Sequence, residues 1–293
     1  MAKRQLQRVL EKPADKSEHL LEKGQWALEI NKIYLEDALE GLKKIPSESC
    51  QIIIADPPYF RAIKEDWDNQ WGDLNAYLEW CNKWLSECIR VLKPKGTMYI
   101  YGFSEVLAHL FVNIPINKKW LVWHYTNKAV PSLNFWQRSH ESIICCWKDE
   151  RPDFNRDEVR VPYTETFLKN SAGKIRKGTK SRFGSGKETV YNAHLNGALP
   201  RDVITIPALA GGAGRREGVE HPTQKPLTLC DTLIKAAKNQ NNLVLVPFVG
   251  SGSECVSAIR NRCDFIGFEI NKTYYNLAEK RIAEEMKQTR LST

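Results

Sequence analysis

The chain predicts an α/β fold built on a mostly parallel, seven-stranded sheet. Segments of strand character alternate with segments of helical period along most of the 293 residues. Several strand segments, among them Ile52-Ile53-Ile54 and Leu243 to Val246, are apolar at every position, as strands covered on both faces are. One of these runs through Gly250-Ser251-Gly252 directly into a helix.

In chain order, residues 1–25 form a polar N-terminal extension. Its several acids and lack of an apolar core match neither a secretory signal nor a mitochondrial transit peptide. Residues 26–150 follow as one unit. Trp26 to Leu35 reads as a strand, Glu36 to Ile45 as a short helix and Cys50 to Ala55 as a strand. Leu74, Leu78, Cys81, Leu85, Ile89 and Leu92 recur at three and four residues, an amphipathic helix closed by Lys93-Pro94-Lys95-Gly96. "GTMYIYG" is a strand, a helix is expected near Glu105 to Phe111, and "KWLVWHY" and "ESIICCW" are strands. Across residues 151–220 the pattern breaks down into Gly, Pro, Lys and Arg with scattered aromatics. Alternation returns in residues 221–293, where Leu227, Cys230, Leu233, Ile234 and Ala237 make a helix face. Strand 242–248, the glycine loop, helix 253–262, strand 264–270 and a helix from Lys272 to Met286 complete the chain.

With 42% hydrophobic and 27% charged residues, the composition is that of a globular protein, and no tract is long enough to span a bilayer. Eight cysteines occur without a C-x-x-C pair, so they read as small buried hydrophobes in a reducing compartment, and a cytoplasmic location is expected. The net charge of +8 suits an anionic partner. Residues 151–220 hold thirteen Lys and Arg against eight Asp and Glu, +5 of that total. From Leu168 to Lys187 seven basic residues meet no acid. Lys174, Arg176, Lys177, Lys180 and Arg182 could track phosphates, and a solvated flexible loop reads equally well.

Two short stretches carry chemistry. In "VPFVGSGSE" the glycines let backbone approach a ligand, and the following helix offers unpaired N–H groups. Seventeen residues beyond Gly252 the next strand ends in Glu269, where such folds accept hydrogen bonds from ribose hydroxyls. The loop lacks the Walker lysine and a full G-x-G-x-x-G. A nucleoside bearing an amino acid therefore fits better than a nucleotide, and S-adenosylmethionine is such a molecule. In "QIIIADPPYF" a buried strand stops at Asp56 and a rigid Pro57-Pro58 turn displays Tyr59.

"DPPY" at Asp56–Tyr59, "HPTQKP" at His221–Pro226 and "PFVGSG" at Pro247–Gly252 together resemble the motifs of amino-group DNA methyltransferases. Their order, catalytic motif first and cofactor motif last, resembles the β class of N6-adenine enzymes. "DEVRVPY" and "RDVITIP" resemble the middle region of members serving restriction-modification systems. The likeness covers roughly residues 28–282. It implies a circularly permuted, Rossmann-like class I S-adenosylmethionine-dependent methyltransferase, with residues 151–220 inserted for DNA recognition. By the resemblance, Asp56 and the Pro57 carbonyl accept the N–H groups of a flipped-out adenine, Pro58 stiffens the turn and Tyr59 stacks on the base. Asp37 would receive the cofactor's adenine amine and Glu269 its ribose. Pro247, Phe248, Gly250, Ser251 and Gly252, with Thr223 and Lys225, would surround the rest of the cofactor. A solvated Lys225 before a helix reads as readily. His221 is expected to pack, Trp67 and Trp71 to pack in the loop after the catalytic motif, and no metal is implied. The resemblance also implies DNA as partner, with a cognate endonuclease and a homodimer as further expectations, and a bacterial, archaeal or phage origin.

The chain departs from the family at two points. Val246 stands where members commonly have Asp, and Ser253-Glu254 replaces Thr-Thr. Cytosine-N4 transfer, a catalytically impaired DNA-binding relic, and protein glutamine methylation are the competing readings.

Overall fold

The computed structural model describes residues 27–127, 132–181, 184–240 and 242–291. The N-terminal extension, the expected strand start at Trp26 and Arg182 lie outside them. One sheet organises the molecule, in the order β1 (Lys32–Leu35), β12 (Asp264–Glu269), β11 (Leu243–Val246), β2 (Cys50–Ala55), β3 (Leu92–Gly102), β5 (His140–Trp147), β4 (Asn117–His124) and β10 (Val203–Thr205). All neighbours are parallel except β5, which is antiparallel to both β3 and β4. The sheet thus has eight strands where seven are expected. The extra one, β10, comes from "RDVITIP", a short and largely exposed edge strand without the apolar run that marks the others.

The uninterrupted apolar strands are explained by two cores, one on each face of the sheet. In β2, Ile53 enters the core built with α1 (Ala38–Lys43), α2 (Leu74–Val91) and α3 (Ser104–Asn113). Ile52 and Ile54 enter the opposite core, with α6 (Leu227–Ala237), α7 (Ser253–Arg260) and α8 (Lys272–Leu291). Leu243 and Leu245 of β11 go one way, Val244 and Val246 the other. The buried face of α2 is Tyr77, Cys81, Trp84, Leu85, Cys88 and Val91, rotated from the aliphatic stripe expected. Tyr77 and Trp84 supply the bulk there, and a count of aliphatic positions misses them. Lys93 to Gly96 form no separate terminator. They lie in β3, at an irregularity where Leu92 pairs with Cys50 and Thr97 with Ile52.

The segment with no regular pattern contains α4 (Glu165–Asn170), the two-residue strands β6 (Ile175–Arg176), β7 (Lys180–Ser181), β8 (Gly184–Ser185) and β9 (Thr189–Val190), and, after β10, α5 (Gly211–Glu217). β6 pairs with β9 and β7 with β8. Among the described residues no helix is long and apolar enough to cross a membrane.

The site is placed by the pairing of β11 with β2. The chain leaves β11 toward β12 on one side and β2 toward β3 on the other. A crevice opens where parallel strands diverge in this way, outside their carboxyl ends. β1, β12, β11, β2 and β3 all end there.

Candidate active site

A cavity of about 450 Å³ occupies that crevice, lined from both halves of the chain. Asp56, the residue after β2, projects into it with both carboxylate oxygens engaged. Oδ1 accepts from the Tyr59 hydroxyl at 2.7 Å and Oδ2 from the Lys225 ammonium at 2.8 Å. Lys225 is only 2% exposed, so the solvated reading of this residue is overturned. Its ammonium also donates to the Thr223 carbonyl at 3.1 Å and stands 3.7 Å from Glu141 Oε2. Burial works to lower the pKa of Lys225, but the Asp56 and Glu141 carboxylates more than reverse this, and the net shift is upward. Tyr59 is not displayed as the sequence leads one to expect. It is buried, its ring edge-on to Phe103 at 5.0 Å and its hydroxyl 3.3 Å from Glu141. Burial first, then Asp56 and Glu141, raises its pKa well above the ordinary value, so the hydroxyl stays a donor. An ionised carboxylate offers about four lone-pair directions. Asp56 can therefore accept further hydrogen bonds from a ligand in the cavity.

Three devices hold the Asp56–Tyr59 turn. The Tyr77 hydroxyl donates to the Pro58 carbonyl at 2.7 Å. Phe60 and Arg61 both take positive φ, 62° and 61°, a costly choice for residues with side chains. Asp68, fully buried, holds them there. Its Oδ1 accepts from Tyr59 N at 2.5 Å and its Oδ2 from Ala62 N and Ile63 N at 2.5 and 2.9 Å, while its carbonyl accepts from Arg61 N at 2.8 Å. Sequence reading missed Asp68, because nothing distinguishes it from the other acids of that polar loop. It also missed Glu141, whose signal was a carboxylate heading an apolar strand.

On the other side, β11 delivers Pro247, Phe248, Gly250 and Ser251 to the cavity wall. Gly250 has φ +50°, and a Cβ there would lie 2.9 Å from His221 Nε2. Glu269 ends β12, its Oε2 accepting from Gly250 N at 2.7 Å and its Oε1 from Asn271 N at 2.8 Å. Burial raises its pKa while these amides pull it back. Asp37 faces the same cavity and uses Oδ1 to cap α1. Thr223 lines the wall. His221 packs edge-on against Tyr274 at 4.5 Å, and burial pushes its pKa down to about 4, so the ring is neutral. Gly252 does not line the cavity. Its φ of +80° starts α7, and a Cβ there would meet Ala278 of α8 at 3.0 Å. Val246 is fully buried in β11.

Lys174, Arg176, Lys177 and Lys180 are exposed and lie away from the cavity. Trp71 packs against Tyr77 and Trp80, at 4.9 and 4.8 Å between centroids, and Trp67 is part of the cavity wall.

Residues 50–280 match the model of a protein family described as DNA methylase. The Type II methyltransferase M.HpaI of Haemophilus parainfluenzae is 30% identical over 263 residues, which cover 87% of this chain and 74% of that protein. The DNA adenine methyltransferase YhdJ of Escherichia coli is 31% identical over 257 residues, covering 84% and 80%. Among solved structures, the cytosine-N4-specific PvuII DNA methyltransferase superposes with a TM-score of 0.62 at 16% identity, covering 90% of this chain and 96% of that one. M1.HpyAVI, solved in complex with SAM, superposes with a TM-score of 0.52 at 21% identity, covering 85% and 98%.

Proposed function

Because the chain belongs to the DNA methylase family, we propose that it transfers a methyl group from S-adenosylmethionine to the N6 amine of adenine at specific sites in DNA. The observation that carries this reading is Asp56, a carboxylate held by Lys225 and Tyr59 at the strand end where both halves of the cavity meet. S-adenosylmethionine supplies a methyl group made electrophilic by its sulfonium. The residues present fit this donor. Glu269 and Asp37 keep acceptor capacity at the cavity wall, Gly250 takes the positive φ that carries the loop backbone along that wall, and Ser251, Thr223 and Lys225 frame the donor's inner end.

The chain's own part in the reaction is to bind and orient. An exocyclic amine is a poor nucleophile because its lone pair is delocalised into the ring. Asp56 and the Pro57 carbonyl accept its two N–H bonds and favour a more tetrahedral nitrogen aimed across the cavity. Tyr59, buried and edge-on to Phe103, can meet the extruded base only with the part of its ring that reaches the cavity wall, where stacking is worth about 1–3 kcal/mol. The product amine's proton is acidic enough to leave without a strong base. Neutral His221 is not needed for it.

DNA approaches over the loops at the carboxyl end of the sheet. The connection between β4 and β5 springs from the cavity wall at Tyr125 and exposes Leu133, Phe135 and Trp136. The basic hairpins at Lys174 to Lys180 serve phosphates. Purified protein incubated with methyl-labelled donor and unmethylated DNA, then nucleoside mass spectrometry, tests the reading. N6-methyladenine from the wild type and not from Asp56→Ala supports it. N4-methylcytosine would move the substrate to the base named for the PvuII enzyme, and no labelled nucleoside from any DNA would overturn it.

A further inference from the structure

We propose that Glu254 is the counter-charge for a cationic centre at the methionine end of the methyl donor, a role that rests on the donor assigned above. Glu254 lies in the first turn of α7, two residues past Gly252, and lines the same cavity as Asp56 and Gly250. It is 3% exposed. The thiol of Cys230 donates to its Oε1 at 3.5 Å. The cations nearby are committed elsewhere. Lys225 is drawn to Asp56 and the Thr223 carbonyl, while Arg281 donates to the Ser251 carbonyl at 2.5 Å and to Ser253 Oγ at 3.3 Å. Among the described residues no ion pair reaches the Glu254 carboxylate.

A buried carboxylate whose direct partners are a backbone amide and a thiol, with no ion pair, is costly to keep ionised. The cost is explained if a ligand brings the missing positive charge. The cavity is acidic overall, lined by Glu36, Asp37, Asp56, Asp68, Glu141, Glu254 and Glu269 against the single ammonium of Lys225. The glycine-loop strand itself brings only Val246, so Glu254 is the carboxylate that this loop and its helix present to the cavity.

Protonation gives an independent handle. Burial, and secondarily Asp56, raises the Glu254 carboxyl to about 7. The groups that face it are Asp56 after β2, Tyr101 of β3, Lys225 before α6, Cys230 of α6, Cys255 of its own helix and Arg281 of α8. A cation placed beside it favours the ionised form. Binding of a cationic ligand then releases a proton near neutrality and tightens as pH rises from 6 to 8.

Titration calorimetry on the full chain tests this with three probes at pH 6, 7 and 8. S-adenosylmethionine carries a sulfonium and an ammonium, S-adenosylhomocysteine only the ammonium, and 5′-methylthioadenosine neither. Glu254→Gln and Glu254→Thr are expected to weaken S-adenosylmethionine by at least about tenfold. Both should leave 5′-methylthioadenosine within about twofold of wild type and abolish the pH dependence. Loss shared by S-adenosylhomocysteine names the ammonium as partner, and loss confined to S-adenosylmethionine names the sulfonium. Unchanged binding of all three probes by both variants, a parallel loss of all three, or a wild-type affinity flat from pH 6 to 8 would overturn the role of Glu254 alone. Failure of the wild type to bind any probe would instead remove the donor assignment, and this role with it.

Discussion

At Asp56, structure and chemistry make opposite demands that one experiment separates. The buried Lys225 needs the carboxylate as its partner, and in the proposed reaction the amine that receives the methyl group needs it as an acceptor. Asp56→Ala leaves an ammonium buried with its main partner gone, which costs about 3–5 kcal/mol. Adding Lys225→Met removes the orphaned charge, so most of that stability returns, while methylation stays lower by about 10²–10³ or more because the acceptor is still missing. Urea unfolding and the labelled-methyl assay on both variants read the two effects apart. Equal recovery of stability and activity would show that Asp56 acts only as a counter-ion. Glu254 gives a pH-dependent case. Its folded pKa is raised from 4.5 to about 7, so its contribution to stability is fully present below 4.5 and is lost as pH climbs through 7. Glu254→Gln does not titrate. The ligand-free variant is therefore expected to melt above wild type by a margin that grows between pH 5 and pH 8, up to of order 3 kcal/mol. A constant margin in thermal melts across that range would show that the carboxyl does not titrate there.

The elements were readable to the extent that their signals were local. β2 and β11 announce themselves by unbroken apolar runs, and the Gly250 turn by its glycines. β10 gave no such run, because an edge strand with exposed Val203 and Thr205 has no second face to bury. The loop after Tyr59 was equally silent. Its shape depends on Asp68, whose three amide partners are met only after the chain has turned back. Asp68→Ala leaves those amides without their acceptor and is expected to destabilise the fold by about 3 kcal/mol or more. Phe60 and Arg61 would relax from positive φ, and because Asp56 and Tyr59 share the turn, activity should fall further than stability alone explains. Chemical denaturation beside single-turnover methylation checks this, and a variant as stable and as active as wild type would show that the loop holds itself.

Across the whole molecule, the sequence showed strands and two motif clusters but not that β11 lies against β2. Val244 pairs with Ile52 across almost the entire domain, and no local pattern encodes such a neighbour. The order of motifs implied it only through resemblance. The surface that would meet DNA was legible as charge and not as shape. Residues 151–220 carry +5 of the net +8, and they hold hairpins and β10 where only loop was expected. Ala208 to Ala210, just past β10, form part of the cavity wall, so this segment is tied to the site while its basic residues stand outside it. If Lys174, Arg176, Lys177 and Lys180 contact phosphates, replacing all four with Ser removes counterion release and no base reading. The slope of log K against log salt should then become shallower by about 0.9 per lost contact, up to about 3.6 for four. Cognate and non-cognate duplexes should weaken alike, and turnover at saturating DNA should hold. Fluorescence anisotropy from about 50 to 200 mM salt measures the slope directly. An unchanged slope would return these four residues to a solvated loop and shift the phosphate contacts to other loops at the carboxyl end of the sheet.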